Sequence, residues 1–330
     1  MEENKNKKVE LEEKELSVEE SKAAQALREE QLSKQERDDV VISPTKVIWN
    51  NFKEKKIALL GLGIFAFILV VSFIIPIFTP SDINDIDATK IYQAPNFTNW
   101  FGTDKLGRDY FNRVVTGGKV SLYVGAIATT IATFLGVLVG SIAGFYGGKI
   151  DNLLMRFAEI VRSFPFLPLA ITLSAALGSR YDASQKMLLI MVILGILGWT
   201  GLARMIRGMI LSLREQEFMV AAKALGIKDR NQILRHIIPN VVSIIIVSAT
   251  LGFAGNILVE SGLSFLGFGI TDPDTSWGLL IKDATASSTN VQWRPWLWIF
   301  PGVLILLTVL SVNFIGDGLR DAIDPRNNGR

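Results

Sequence analysis

Apolar residues in this chain gather into blocks about twenty residues long, and that clustering limits the possible folds more than any single motif does. A block of this length matches the roughly 20 residues needed to cross a hydrocarbon layer about 30 Å thick. The chain is 49% hydrophobic over 330 residues, close to the soluble average, so composition alone leaves the class open. Ile57–Phe78 is the first block and holds no charge. Val120–Tyr146 is the second, and its Gly136, Gly140 and Gly144 recur every fourth residue, which lays a groove where another helix can approach closely. The third, Leu153–Leu177, is expected to bend, because Pro165 and Pro168 interrupt its hydrogen-bond ladder. Met187–Ala203, Val241–Glu260 and Trp296–Gly316 complete six spans. These blocks predict an all-α integral membrane protein with both termini on one side.

Lys and Arg between the spans set the expected orientation, since basic residues are retained in the cytoplasm. One side carries Lys149, Arg156, Arg162, Arg204, Arg207, Arg214, Lys223, Lys228, Arg230, Arg235, Arg320, Arg326 and Arg330. The other carries Lys90, Lys105, Arg108, Arg113, Lys119, Arg180, Lys186, Lys282 and Arg294. Both termini are therefore expected inside the cell. The organisation read from the sequence has four parts. Residues 1–42 form a charged, disordered tail, without the basic-then-apolar order of a signal peptide. Residues 43–118 hold an interfacial helix around Ile48, Trp49 and Phe52, the first span, and an extracellular loop or cap including Phe101–Arg113. Residues 119–318 form the core, and 319–330 a cytoplasmic tail.

Several chemistries are excluded by what is missing. The sequence has no cysteine and one histidine, His236, so thiolate metal sites, imidazole clusters and a Ser/His/Asp set outside its surroundings have no ligands to draw on. A net charge of +2 gives no reason to expect a nucleic-acid partner. A phosphate-binding loop fails at Gly118-Lys119, where Val120 follows and Arg113 stands in place of the first glycine, and Gly147-Gly148-Lys149 fails too. The chain is not expected to be an enzyme or to bind a cofactor.

The segment 212–240 is too polar to span and too regular for a plain loop. Leu213–Leu225 are strong helix formers, Gly226 suits a left-handed cap, and Asp229 with Gln232 can form a capping box on a second helix. Pro239 is expected to mark the next boundary. Ala221, Ala222 and Ala224 leave a smooth surface, with Met219, Val220, Leu225 and Ile227 as apolar anchors. Two readings stay open on these residues alone: a helix for a partner's groove, or a folded loop in which alanine serves only as a helix former.

The pattern Glu217, Ala221, Ala222, Gly226, Ile233, His236 and Pro239 resembles the EAA loop of ABC importer permeases, with Ile238 where that family most often has Leu. The string EFMVAAKALGIKDRNQILRHIIPN resembles the dipeptide and oligopeptide permeases. FGTDKLGRDYFNRVVTGGKVSLYVG, AGFYGGKIDNLLMR, ESGLSFLGFGITDPDTSWG and NFIGDGLRDAIDPR look like the C-type permease of the same importers. The resemblance covers about Ser43 to Arg326. It implies the six-helix fold of a type I importer permease in a bacterial plasma membrane. It also implies a second homologous permease, two cytoplasmic subunits that bind ATP and Mg, and an extracytoplasmic peptide-binding protein. The substrates it implies are oligopeptides first, then dipeptides, nickel or glutathione.

Three further groups stand out. Asn256 and Glu260 lie four apart near the outer end of the fifth span, a candidate for the substrate path, although an interfacial carboxylate reaching water is the favoured reading. Arg156, Glu159 and Arg162 form a row read as a structural ion pair near the ATPase side in preference to a peptide contact. Trp277, Trp293 and Trp296 fit either a partner contact or an aromatic belt. An ion-coupled secondary transporter lacks its expected midspan carboxylates and internal repeat here. A membrane scaffold remains the third class.

Overall fold

The computed structural model describes residues 44–78, 82–178 and 180–323. The tail expected over 1–42, and the residues after 323, lie outside them. The chain divides into two compact units, Met1–Asn50 and Asn51–Arg330. In the first, the described residues begin helix α1, Pro44–Glu54, and all that follows concerns the second. All regular secondary structure among the described residues is helical.

Among the described residues five helical segments are long and apolar enough to cross a membrane, or six if a bent pair counts as one span. Helix α2 is Lys56–Phe78 and α3 is Tyr110–Tyr146. Asp109 caps α3 by accepting the Asn112 N–H at 2.9 Å, and Gly147 ends it at φ +65°, a conformation that suits glycine. The span expected over 153–177 is two helices, α4 (Gly148–Ser163) and α5 (Phe166–Gly178), turned by 79°. The break follows from Phe164-Pro165: the proline forces Phe164 into the extended region, at ψ 133°. Pro168 falls in the first turn of α5, where a missing N–H costs little. Helices α6 (Ala183–Gly198) and α7 (Thr200–Leu213) together form the next span.

After the short α8 (Glu217–Ala224) comes α9, running unbroken from Asp229 to Phe265. The boundary expected at Pro239 is therefore absent. A π-helical turn at Gln232–Ile237 lets the Ile238 N–H donate to Ile233 O, five residues back, and shifts the ladder just before the residue that has no N–H to give. Helix α2 uses the same device: a π turn at Val70–Ile74, with the Ile75 N–H donating to Val70 O, precedes Pro76. Two short helices, α10 (Trp277–Thr285) and α11 (Ser288–Trp293), lead into α12 (Trp296–Ile323).

Small residues set how these helices meet. A Cβ on Gly140 would lie 2.5 Å from Ala203 O, and one on Gly144 would lie 2.8 Å from Ile210 Cβ. The glycine row of α3 is thus filled by the backbone and side chains of α7, as a groove of that kind predicts. Helices α2 and α12 meet similarly at Gly61, where an added Cβ would stand 2.7 Å from Ser311 O.

Candidate functional site: the hairpin and the polar seam

The turn from α7 to α9 projects from one end of the bundle, called here the hairpin end. Helix α8 closes in a Schellman motif: Gly226 N–H donates to Lys223 O at 3.0 Å, and Ile227 N–H to Ala222 O at 3.1 Å. Gly226 adopts φ +69°, the left-handed geometry this motif takes and glycine meets without strain. The capping box expected from Asp229 and Gln232 does not form. Lys228 occupies the N-cap without a side-chain bond, and Gln232 turns its amide back to donate to Ile227 O at 2.6 Å. Gln232 is buried, so satisfying the turn's carbonyl outweighs an exposed cap.

The apolar residues of the hairpin divide between two directions. Met219 is 3% exposed and packs with Ile206 and Ile210 of α7 and Ile237 and Val241 of α9, with Ile233 against the same cluster. Ala222 is buried as well. Phe218, Val220 and Leu225 face outward, the last at 80% exposure. Glu217 and Ala221 share the exposed surface, while His236 is half-buried and Pro239 exposed. An open cavity of about 680 Å³ lies beside this surface, lined in part by Tyr146, Arg214, Met219, Lys223 and Gln232. The seven residues singled out in the sequence therefore do not form one patch: some face out, and Ala222 faces the bundle. What sequence reasoning missed is Met219 as the bolt between α8 and the two spans, because its partners lie in other helices.

Asn256 and Glu260 both join α9 to α3. The Asn256 amide donates to Thr129 Oγ1 at 2.9 Å. Glu260 is fully buried and accepts from Ser121 at 3.0 Å and Ser264 at 2.8 Å. The Trp277 N–H donates to Ser121 in turn, at 3.3 Å. Glu260 does not reach water as an interfacial carboxylate would. Burial of a carboxylate is tolerated here because hydroxyls replace its hydration. Trp277 is buried too, its ring N–H donating to Val114 O at 3.0 Å, so it offers no outward contact; Trp293, at 75% exposure, does.

Opposite the hairpin end, the loop before α3 folds into a charged cap. Asp104 accepts from Arg108 Nε at 2.7 Å, and Asp272 accepts from Arg108 and Arg113, both at 3.3 Å. Arg113 is fully buried; its Nε stands 3.7 Å from Asp104, and Nε and Nη1 have no hydrogen-bond partner among the described residues. Partial burial works to raise the Asp272 carboxyl, but the two guanidinium groups outweigh it and hold it below the ordinary carboxylate range.

Comparison with known proteins gives a consistent answer. Residues 136–329 match the family model described as binding-protein-dependent transport system inner membrane component. Residues 43–95 match the N-terminal transmembrane domain of oligopeptide transport permease C. The oligopeptide transport system permease protein of Haemophilus influenzae is 42% identical over 85% of this chain and 89% of its own length. Dipeptide transport system permease proteins are 40% identical in Alkalihalophilus pseudofirmus, covering 86% of this chain and 91% of that protein, and 37% in Bacillus subtilis, covering 86% and 87%.

Proposed function

This chain belongs to the binding-protein-dependent transport system inner membrane components, as a permease subunit in peptide import, and on that premise we propose how its hairpin and spans work. The hairpin end faces the cytoplasm, which the basic residues gathered there support. Two ATP-binding subunits, which hold ATP and Mg, sit against it, one of them on the exposed side of α8. A second, homologous permease completes the path, and an extracytoplasmic peptide-binding protein delivers the substrate at the capped end. This chain contributes no ATPase site. Oligopeptides are the first choice of substrate and dipeptides the second, since relatives bearing both names match over nearly the same share of the chain.

The observation that carries this reading is the bolt at Met219. A displacement of α8 by a partner pushes on Ile206, Ile210, Ile237 and Val241 together, and a packed cluster shifts as a unit because it has little free volume. Glu217, Phe218, Val220, Ala221 and Leu225 offer the gripping surface, while Gly226 keeps the turn from yielding. ATP-driven closure of the partners is thereby converted into reorientation of spans, giving alternating access.

Gly226→Pro in the assembled transporter tests this. Proline fixes φ near −65°, so the +69° turn is lost; peptide uptake is expected to fall while the spans still insert. Gly226→Asn, which tolerates the left-handed region, keeps most uptake. If the proline variant imports peptide with ATP hydrolysis still coupled, the joint is not at this turn; uptake by the chain alone on a proton or sodium gradient would instead favour a secondary transporter.

A further inference from the structure

Helix α4 has three faces, and its own bundle buries only one. Asp151 and Ala158 turn inward. Asp151 accepts two hydrogen bonds from Arg207, at 2.6 and 2.5 Å, and Ala158 packs with Trp199 and Ala203, against Ala132, Leu135 and Val139 of α3. A second face presents Ile150, Leu153, Phe157, Ile160 and the capping Phe164, all exposed. The third presents Asn152, Arg156, Glu159 and Ser163, spaced four, three and four apart and likewise exposed. That spacing keeps them on one side of the helix.

Internal contacts fix the depth of this polar stripe. Asp151 meets Arg207, whereas Phe157, further along α4, stacks on Trp199 at 6.2 Å between ring centroids. Helix α4 therefore climbs back alongside α7, away from the hairpin end. Trp199 lies midway along the span Gln185–Leu213. On α3, the partners of Ala158 run from Val139 back to Ala132, about 10 to 20 Å of helix above Tyr146 at 1.5 Å per residue. The stripe thus rises through the level of the hydrocarbon. A charge held against lipid at such a depth costs about 2.5–3.5 kcal/mol or more, so ionisable groups in spans face water or a polar partner. Within this chain Arg156 and Glu159 pair with each other, yet their side chains stay 81% and 57% exposed.

We propose that Asn152, Arg156, Glu159 and Ser163 line the water-filled half of the translocation path nearest the hairpin end, and that Arg156 and Glu159 receive the carboxylate and the ammonium of a passing peptide. The ligand follows from the stripe's chemistry and rests on the peptide-import reading above. Arg156 Nη1 and Glu159 Oε2 stand 3.3 Å apart. An exposed pair of this kind is held weakly, so each member can exchange its partner for an opposite charge on a zwitterionic chain. Asn152 below and Ser163 above supply neutral donors and acceptors for a peptide backbone. The stripe takes up Arg156 and Glu159 of the sequence row, for which a peptide contact is the less favoured of two readings, and leaves out Arg162.

The absence of cysteine makes the test direct. Asn152→Cys and Ser163→Cys on the polar stripe, and Leu153→Cys and Ile160→Cys on the apolar one, are placed singly in the assembled transporter in liposomes. Each is treated with a charged, membrane-impermeant methanethiosulfonate. The thiolate is the reacting form, and each unit by which an apolar setting raises a thiol pKa removes about tenfold of it at a given pH. The polar-stripe thiols are expected to react at least about tenfold faster than the apolar pair, and a saturating transported peptide should slow them. Equal, slow labelling on both stripes overturns the lining, and labelling that peptide leaves unchanged overturns the contact. Protection as strong by a C-terminally amidated peptide as by the free acid removes the role given to Arg156. Peptide uptake by the unsubstituted assembly is read separately: its absence defeats the import reading and with it the ligand, while the labelling contrast still reports on the lining.

Discussion

The two ends of the bundle are built on opposite principles. At the hairpin end, one apolar side chain, Met219, ties a helix of eight residues to its neighbours, and backbone bonds close the turn. At the other end, Asp104, Arg108, Arg113 and Asp272 interlock, with Asp272 reaching Arg113 and Arg108 from 159 and 164 positions away in sequence. Apolar contacts are non-directional and survive small rotations. Buried charge pairs depend on geometry and lose heavily when separated. The hairpin end is therefore joined by packing, which tolerates small movements, and the capped end by ions, which hold their geometry.

Substitutions at each end can break this contrast. The largest effect is expected from Arg113→Ala, which strips Asp104 and Asp272 of a buried partner; truncating one member of such a pair costs about 3–5 kcal/mol, read as a lowered unfolding temperature of the purified chain. Next comes Met219→Ala, where loss of a buried methionine costs about 2–5 kcal/mol. The low end of that range is expected because the site lies beside the open cavity at Tyr146 and Lys223. Peptide uptake should fall further than stability does. Leu225→Ala sharpens the comparison: the side chain is 80% exposed, so stability should stay within about 0.5 kcal/mol while binding of the ATPase partner weakens. Should Leu225→Ala destabilise as much as Met219→Ala, the two directions of the hairpin are not distinct.

The smallest effect concerns acid. Asp272 has a folded-state pKa below that of the unfolded chain, so it adds stability that is present above about pH 3.9 and disappears as pH falls through the folded value. Because the carboxyl is 45% exposed, screening keeps the change small. Unfolding followed from pH 6 downward, compared with Asp272→Asn, checks it: the substituted chain should show the shallower loss below about pH 4.

Much of this architecture can be read locally. Blocks of apolar residues announce the spans, Gly136, Gly140 and Gly144 announce a close helix contact, and Gly226 announces a left-handed turn, because each signal lies within a few residues of its effect. What could not be read depends on distant partners. Glu260 looks like a carboxylate at a span's end until Ser121 and Ser264 are brought to it. Arg113 looks like a loop charge until Asp272 arrives from 159 residues away. Pro239 reads as a stop because the π turn that absorbs it has no signature in composition. The expected capping box failed for a related reason, as the half-buried Ile227 carbonyl takes the amide of the buried Gln232.

The glycine groove has a mechanical consequence. Where Gly140 lies against Ala203 with no side chain between the backbones, α3 and α7 have no cushion in which to slip past one another. They behave as a spliced strut, with α3 about 55 Å long at 1.5 Å per residue. The helix that meets the hairpin's neighbours at Gly140 and Gly144 thus reaches the capped end at Tyr110 in one piece.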